Sequence, residues 1–301
     1  MESLPQNASA PTTHIMSVDV EDYFQVEAFA GTVAVDSWDR WPSRVVANTQ
    51  RALDLLDQHG AKATFFFVGW VAERFPDLVR DAVARGHEVA CHSYWHRAVY
   101  KLSPEEFRQD THMAKDVIEQ AAGVPVKGYR APTWSITRQS MWALRILAEA
   151  GFLYDSSVYP IRHDLYGIPG AQRVPYTHKC GDNLQLREYP PATLRLGGIT
   201  LPAAGGGYLR LFPMAYTHRA FQQAENHAQA AVVYFHPWEL DPEQPRIRAK
   251  LRSRFRHYTN LRRMEARLAQ LLSRYRFQRF EDALRAEGQN ASFAKPGLHA
   301  Q

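Results

Sequence analysis

Two cysteines in 301 residues are too few for a disulfide framework. Cys91 lies in an apolar, strand-like run where a free buried thiol is expected, and Cys180 carries no signal of its own. No apolar run approaches the roughly 20 residues that span a bilayer. The first residues, MESLPQNASAPTTH, hold neither the basic nor the apolar stretch of an export signal. The expectation is a cytoplasmic chain. Strong charge imbalance is also lacking: the formal net charge is +5, and much of it comes from the arginines between Arg246 and Arg267. No zinc-finger spacing or RNA-recognition motif accompanies that charge, so nucleic acid is not the expected partner. A solvated basic face, an anionic polysaccharide or peripheral contact with the inner-membrane surface accounts for it instead.

What is present is enough apolar residue, 45%, to bury one full-sized core. His14–Asp19 reads as a strand. A helix follows from Ser43, its expected cap, with Val45, Val46, Thr49, Leu53 and Leu56 at the helical period and Gly60 as stop. Strand 62–68, a helix from Pro76 to Gly86 and strand 87–91 come next. Ser103 and Glu106 then frame a capping box with Pro104 at the first helical position, which predicts a helix to about Ala122. Strand 126–129, a helix over 137–151 and strand 152–155 continue the series. This alternation predicts an α/β fold, a distorted (β/α) barrel with a mainly parallel sheet.

The rhythm breaks over 160–212. There, 194–201 reads as a hairpin around Gly197-Gly198, and Gly205-Gly206-Gly207 reads as a tight loop rather than a ligand contact. A helix near 213–229 and strand 231–236 restore the alternation, and a basic amphipathic helix is expected over 261–275. The expected organisation is a loose 1–12, a main domain over 13–240, a basic helical extension over 241–287 packed on it, and a loose tail over 288–301.

Asp19, His92, Arg130, Asp155 and His236 all fall at C-terminal ends of predicted strands, which in a barrel share one face. His92 and His96 are four apart and would stand one above the other if the segment coils, so both could reach one ion. Thirteen histidines make such a pair common by chance; its position at a strand end is what gives it weight. The acids at 19, 21 and 22 are the available carboxylates. Asp19 and Glu21 share a face of an extended segment while Asp22 points away, so Glu21 is favoured over Asp22 as a third ligand.

Ser17-Val18-Asp19, His92-Ser93-x-x-His96, Tyr129-Arg130-Ala131-Pro132, Tyr154-Asp155-Ser156-Ser157 and Tyr234-Phe235-His236-Pro237 occur in the order of the motifs of the NodB-type polysaccharide deacetylases, which this chain resembles over roughly residues 14–240. Asp19–Phe24, Gly205–Tyr208 and His257–Leu261 are similar to the subgroup that accompanies exosortase and exopolysaccharide gene clusters. The resemblance implies a divalent ion, usually zinc, on two histidines and a carboxylate, with one position left for water. It implies Asp19 as general base oriented by Arg130, and His236 as general acid oriented and kept protonated by Asp155. A backbone N–H near Asp22-Tyr23 or Thr133 would face the oxyanion. The implied substrate is an N-acetylated polysaccharide or oligosaccharide, with peptidoglycan, chitin oligosaccharides or a small amide as alternatives. The family's usual motif has two adjacent aspartates, and the tryptophan usual after the fourth motif is missing. Tyr23, Trp134 and Trp238 are therefore the candidate substrate contacts. The reading from another class is a non-catalytic glycan-binding or assembly factor.

Overall fold

The computed structural model describes residues 12–181, 183–203 and 205–293. Its frame is a run of short strands and helices: β1 (Thr13–Val20), α1 (Val45–Gln58), β2 (Thr64–Phe67), α2 (Gly69–Arg74), α3 (Pro76–Ala84), β3 (Glu88–Cys91), α4 (Pro104–Ala122), β4 (Gly128–Tyr129), α5 (Trp142–Glu149) and β5 (Tyr154–Asp155). The second half holds β6 (Tyr176–Lys179), β7 (Gln185–Glu188), β8 (Thr193–Leu196), β9 (Ile199–Pro202), α6 (Gly206–Leu211), α7 (Met214–Glu225), β10 (Val232–Phe235), α8 (Leu251–Tyr258), α9 (Met264–Arg274), β11 (Arg276–Gln278) and α10 (Phe280–Phe293).

The sheet runs β10-β1-β2-β3-β4-β5-β7-β6. Every pair from β10 to β7 is parallel, and the β6–β7 hairpin at the end of the path is antiparallel. Strands buried on both faces need no polar alternation, which is why β2 reads Thr-Phe-Phe-Phe and β10 reads Val-Val-Tyr-Phe, all buried. The Ala192 N–H, beyond β7, donates to the Val232 carbonyl at 3.0 Å and brings the far end of the path back to β10. The result is the distorted barrel.

Several elements differ from the sequence expectation for identifiable reasons. The α1 helix is capped from a distance: the Asp22 carboxylate accepts from the Arg44 and Val45 N–H groups and from the Ser43 hydroxyl, so Ser43 serves the cap without being it. Residues 92–96 do not coil into a helical turn, because Ser93 (φ 61) and His96 (φ 49) both take left-handed backbone. The stretch expected as a helical extension also supplies a strand: β11 pairs with Thr13–Ile15 of β1, on the edge that β2 covers further along. Helix α10 continues to Phe293, past the expected end at 287. Residues 1–11 and 294–301, expected to be loose, lie outside the described residues. The 194–201 hairpin forms as β8–β9, with Gly197 (φ 52) and Gly198 (φ 84) at its turn. The close approach at Gly205 (φ 113) is by Tyr234, whose ring would lie 2.2 Å from a Cβ there. No helix among the described residues is long and apolar enough to cross a membrane.

Candidate active site

Parallel strands end at one edge, so their last residues converge there. Asp19 is the penultimate residue of β1, while His92, Arg130 and His236 directly follow β3, β4 and β10. Asp19, Glu21, His92, His96, Trp134, His236 and Trp238 line one cavity of about 740 Å³.

One ligand atom each from Glu21, His92 and His96 fall within 4.8 Å of one another, and all three residues are buried. Glu21 Oε2 and His96 Nε2 are 2.6 Å apart, and the other ring nitrogen, His96 Nδ1, is buried without a hydrogen-bond partner. A buried carboxylate oxygen beside two buried imidazoles suits a cation held by all three residues. His92 Nδ1 lies 2.7 Å from the Arg130 carbonyl; donating there, it leaves Nε2 as the free lone pair, the usual way a ligating imidazole is oriented. Burial holds the His92 imidazole down to about 4, in its neutral, ligating form. Burial alone would push the Glu21 carboxyl up, but His96, His236 and His92 outweigh it and hold it well below the usual carboxylate range. The donor set of two imidazoles and one carboxylate therefore fits a divalent ion such as zinc.

The turn that aims the two imidazoles has its own support. The Asp110 carboxylate, from α4, accepts from the Tyr94 and Trp95 N–H groups at 2.8 and 3.2 Å. These bonds hold a loop whose two left-handed residues cost roughly 1–2 kcal/mol each. Asp22 is occupied elsewhere: besides capping α1, its Oδ1 accepts from the Tyr23 N–H at 2.9 Å. Glu21 and not Asp22 thus shares the cluster with the histidines.

Arg130 is fully buried. Its guanidinium donates to Asp19 Oδ1 at 2.6 Å, Ser17 Oγ at 2.8 Å and Ser156 Oγ at 3.0 Å, and it lies 4.2 Å over the Phe66 ring. A buried charge so paired orients Asp19 and leaves its other oxygen toward His236, whose Nε2 is 4.0 Å from Asp19 Oδ2 and 3.5 Å from Glu21 Oε1.

The partner of His236 corrects the expectation. Asp155 ends β5 with its Oδ1 taking the Ser157 hydroxyl at 2.6 Å, and its carboxyl faces Glu188 of the neighbouring β7. Burial pushes Asp155 up to about 6 and Glu188 well above the usual range, and the two carboxyls face each other rather than His236. The carboxylate that meets His236 is Glu239, whose Oε2 lies 3.0 Å from Nδ1 and also accepts the His236 N–H. Glu239 Oε1 in turn takes Arg210 Nε at 2.6 Å. Burial would lower the His236 imidazole, but Glu21, Glu239 and Asp19 overcome it and raise it to about 9.

Tyr23 is a second correction: its ring is fully buried against Phe24 and does not reach the cavity. Its N–H, like that of Asp22, which donates to Gln25, is already engaged, so neither faces an oxyanion. Thr133 (φ 56) does line the cavity. Trp238 Nε1 donates to Glu21 Oε1 at 3.1 Å, and Trp134 packs on Tyr234. Sequence reasoning missed Glu239, Arg210 and Asp110. Glu239 stands three residues after His236, a readable capping-box spacing. Asp110 is a charged residue on the buried face of α4 beside Phe107, Thr111 and Ala114. Nothing local marks Arg210.

Residues 31–154 match the family model described as polysaccharide deacetylase, and residues 156–285 match a domain of unknown function, DUF3473. Over residues 31–154 the chain is therefore similar to the polysaccharide deacetylases. A peptidoglycan-N-acetylglucosamine deacetylase of Bacillus cereus is 34% identical over 96 residues, 32% of this chain and 35% of that protein. A chitooligosaccharide deacetylase of Bradyrhizobium is 33% identical over 95 residues, 32% of this chain and 43% of that one. The chain therefore spans less than half the length of these relatives. Among solved structures, a Mycobacterium smegmatis protein assigned to the polysaccharide deacetylases superposes with a TM-score of 0.57 at 21% identity, covering 100% of this chain and 98% of that one. The allantoinase PuuE does so with 0.58 at 16%, covering 94% and 97%, and such likeness speaks to the shared fold. The first family segment carries His92, His96 and Arg130; the second carries Arg210, His236 and Glu239; Asp19 and Glu21 precede both.

Proposed function

We propose that this chain is a metal-dependent hydrolase that removes N-acetyl groups from the sugars of a bacterial exopolysaccharide or its precursor. The carrying observation is the buried Glu21–His92–His96 cluster with an Arg130-bound Asp19 and a carboxylate-bound His236 lining the same cavity. The match of residues 31–154 to the polysaccharide deacetylase model, and the likeness to a peptidoglycan and a chitooligosaccharide deacetylase, support an amide of an acetylated sugar as substrate. The resemblance of Asp19–Phe24 and Gly205–Tyr208 to the exosortase-associated subgroup supports an exopolysaccharide.

Glu21, His92 and His96 would hold the ion, zinc by their chemistry. Bound there, it supplies Lewis acidity toward an acyl carbonyl and toward a water. Asp19 takes the proton of the attacking water through the oxygen that Arg130 leaves free. His236, whose imidazole the surrounding carboxylates raise, gives a proton to the sugar nitrogen as its bond to the acyl carbon breaks, so acetate and a free amine leave. Glu239 and Arg210 hold the imidazole in place for that transfer. Trp134 and Trp238 wall the cavity that receives the sugar.

Acetate release from the organism's own exopolysaccharide, with and without chelator, tests the reading. Glu21→Ala and His92→Ala should lose both bound metal and acetate release. Asp22→Ala should keep its metal and lose about 1–2 kcal/mol of stability with the α1 cap. Full-rate release by metal-free protein would sink the mechanism.

A further inference from the structure

Helix α8 forms one lip of the cavity and presents three faces. Residues 252, 253 and 256 line the cavity, and His257 is buried in a stack with Trp238 (4.1 Å, 13°). At 100° per residue, Leu251, Arg254, Phe255 and Tyr258 fall together on the outward face. Leu251 is 80% exposed and Phe255 61%, and four residues apart they form one apolar ridge. With Arg246, Arg254, Tyr258 and Thr259 they border a shallow groove.

The charge around this ridge has one sign. Between Glu243 and Glu265 there is no carboxylate, and Arg246, Arg248, Lys250, Arg252 and Arg254 are all exposed. Asp164 meets the inward side, through Arg252 at 3.1 Å and Arg256 at 3.4 Å, which leaves the outward cations to solvent. The helix is firmly seated. Arg210 donates to the carbonyls of Arg256, His257 and Thr259, so α8 is fixed relative to Glu239 and His236.

The geometry points to the outer face of α8 as a docking site for an anionic lipid bilayer, with Leu251 and Phe255 inserted among the acyl chains and the arginines and Lys250 on the headgroups. A polyanionic glycan would be met by the cations alone and gives no role to an 80% exposed leucine; a bilayer interface uses both halves of the pattern. Docking there sets the cavity mouth, through Arg252 and Arg256, beside the membrane surface. The inference goes beyond the deacetylase reading and does not depend on it.

Sedimentation of the full chain with phosphatidylcholine vesicles, with and without phosphatidylglycerol, reads it directly. Binding is expected only with the anionic lipid and should weaken as salt rises. Leu251→Ser with Phe255→Ser should weaken it by roughly tenfold or more, and Arg248→Glu with Arg254→Glu should do the same. Both double variants should keep the wild-type thermal midpoint and bound metal, which separates lost docking from misfolding. No binding to phosphatidylglycerol vesicles at low salt overturns the inference. So does wild-type binding by the Leu251/Phe255 variant, or capture by a soluble uronate polymer with none by vesicles.

Discussion

At the scale of the residue, the acid arm of the site is a chain of three ionisable groups. Arg210, fully enclosed, fastens one oxygen of Glu239; the other oxygen holds both the backbone and the ring of His236. Burial would raise the Glu239 carboxyl, and Arg210 with His236 brings it down to about 2, so it stays a carboxylate at any working pH. Glu239→Gln keeps an acceptor of the same size and removes the charge. A positioning role predicts a kcat lower by roughly tenfold to a hundredfold with KM and metal content unchanged, and partial recovery in Glu239→Asp. A purely structural role would instead lower stability and leave kcat per folded molecule intact. Sequence spacing exposed His236 because it ends an apolar strand. It misassigned the partner because Asp155, also at a strand end, looked equivalent, while β5 turns that carboxyl toward Glu188 on β7.

At the scale of the element, the strand ends were readable because they follow continuous apolar runs, and the loops beyond them were not. The turn from His92 to His96 depends on two left-handed non-glycine residues and on Asp110 from another element, neither of which a spacing rule encodes. Strand β3 opens beside His87, whose buried Nδ1 accepts the Ala63 N–H at 3.2 Å and so ties β3 to the approach to β2. Burial, then Lys62, holds this imidazole down to about 4. Its pKa is depressed on folding, so as pH falls below about 6.5 the unfolded chain takes up the proton first. Stability is therefore lost between about pH 6.5 and about 4, by up to roughly 3 kcal/mol for this group, and levels off once the folded ring also charges. His87→Asn keeps an acceptor and should flatten that part of the curve, measured as denaturant unfolding at about pH 7 and about pH 5. An unchanged slope would show that the ring does not titrate this way.

At the scale of the whole molecule, the fold class was legible from the alternation of elements, but the way the barrel is finished was not. The three-residue β11 follows a basic helix and carries no apolar run, yet it covers the first half of β1, the strand that bears Asp19. Phe280 then plugs the base of the sheet. It is fully buried, stacks on Tyr154 at 5.1 Å, meets Phe66 and Tyr189 edge-on, and lies 5.6 Å under the Arg130 guanidinium. Its N–H donates to Thr64 Oγ1, and the next N–H donates to Glu88, so the start of α10 is bonded into β2 and β3. The C-terminal segment is thereby part of the barrel's floor and supports the arginine that orients Asp19. Phe280→Ala should cost about 3–5 kcal/mol, the usual loss for a phenylalanine cavity, read as a lower denaturant midpoint. Removal of residues 276–301 should go further, because it also bares the β1 edge, and should abolish the single cooperative unfolding transition. A chain ending at residue 275 that unfolded with the midpoint of the full protein would instead make this segment an appendage and free Arg130 from any dependence on it.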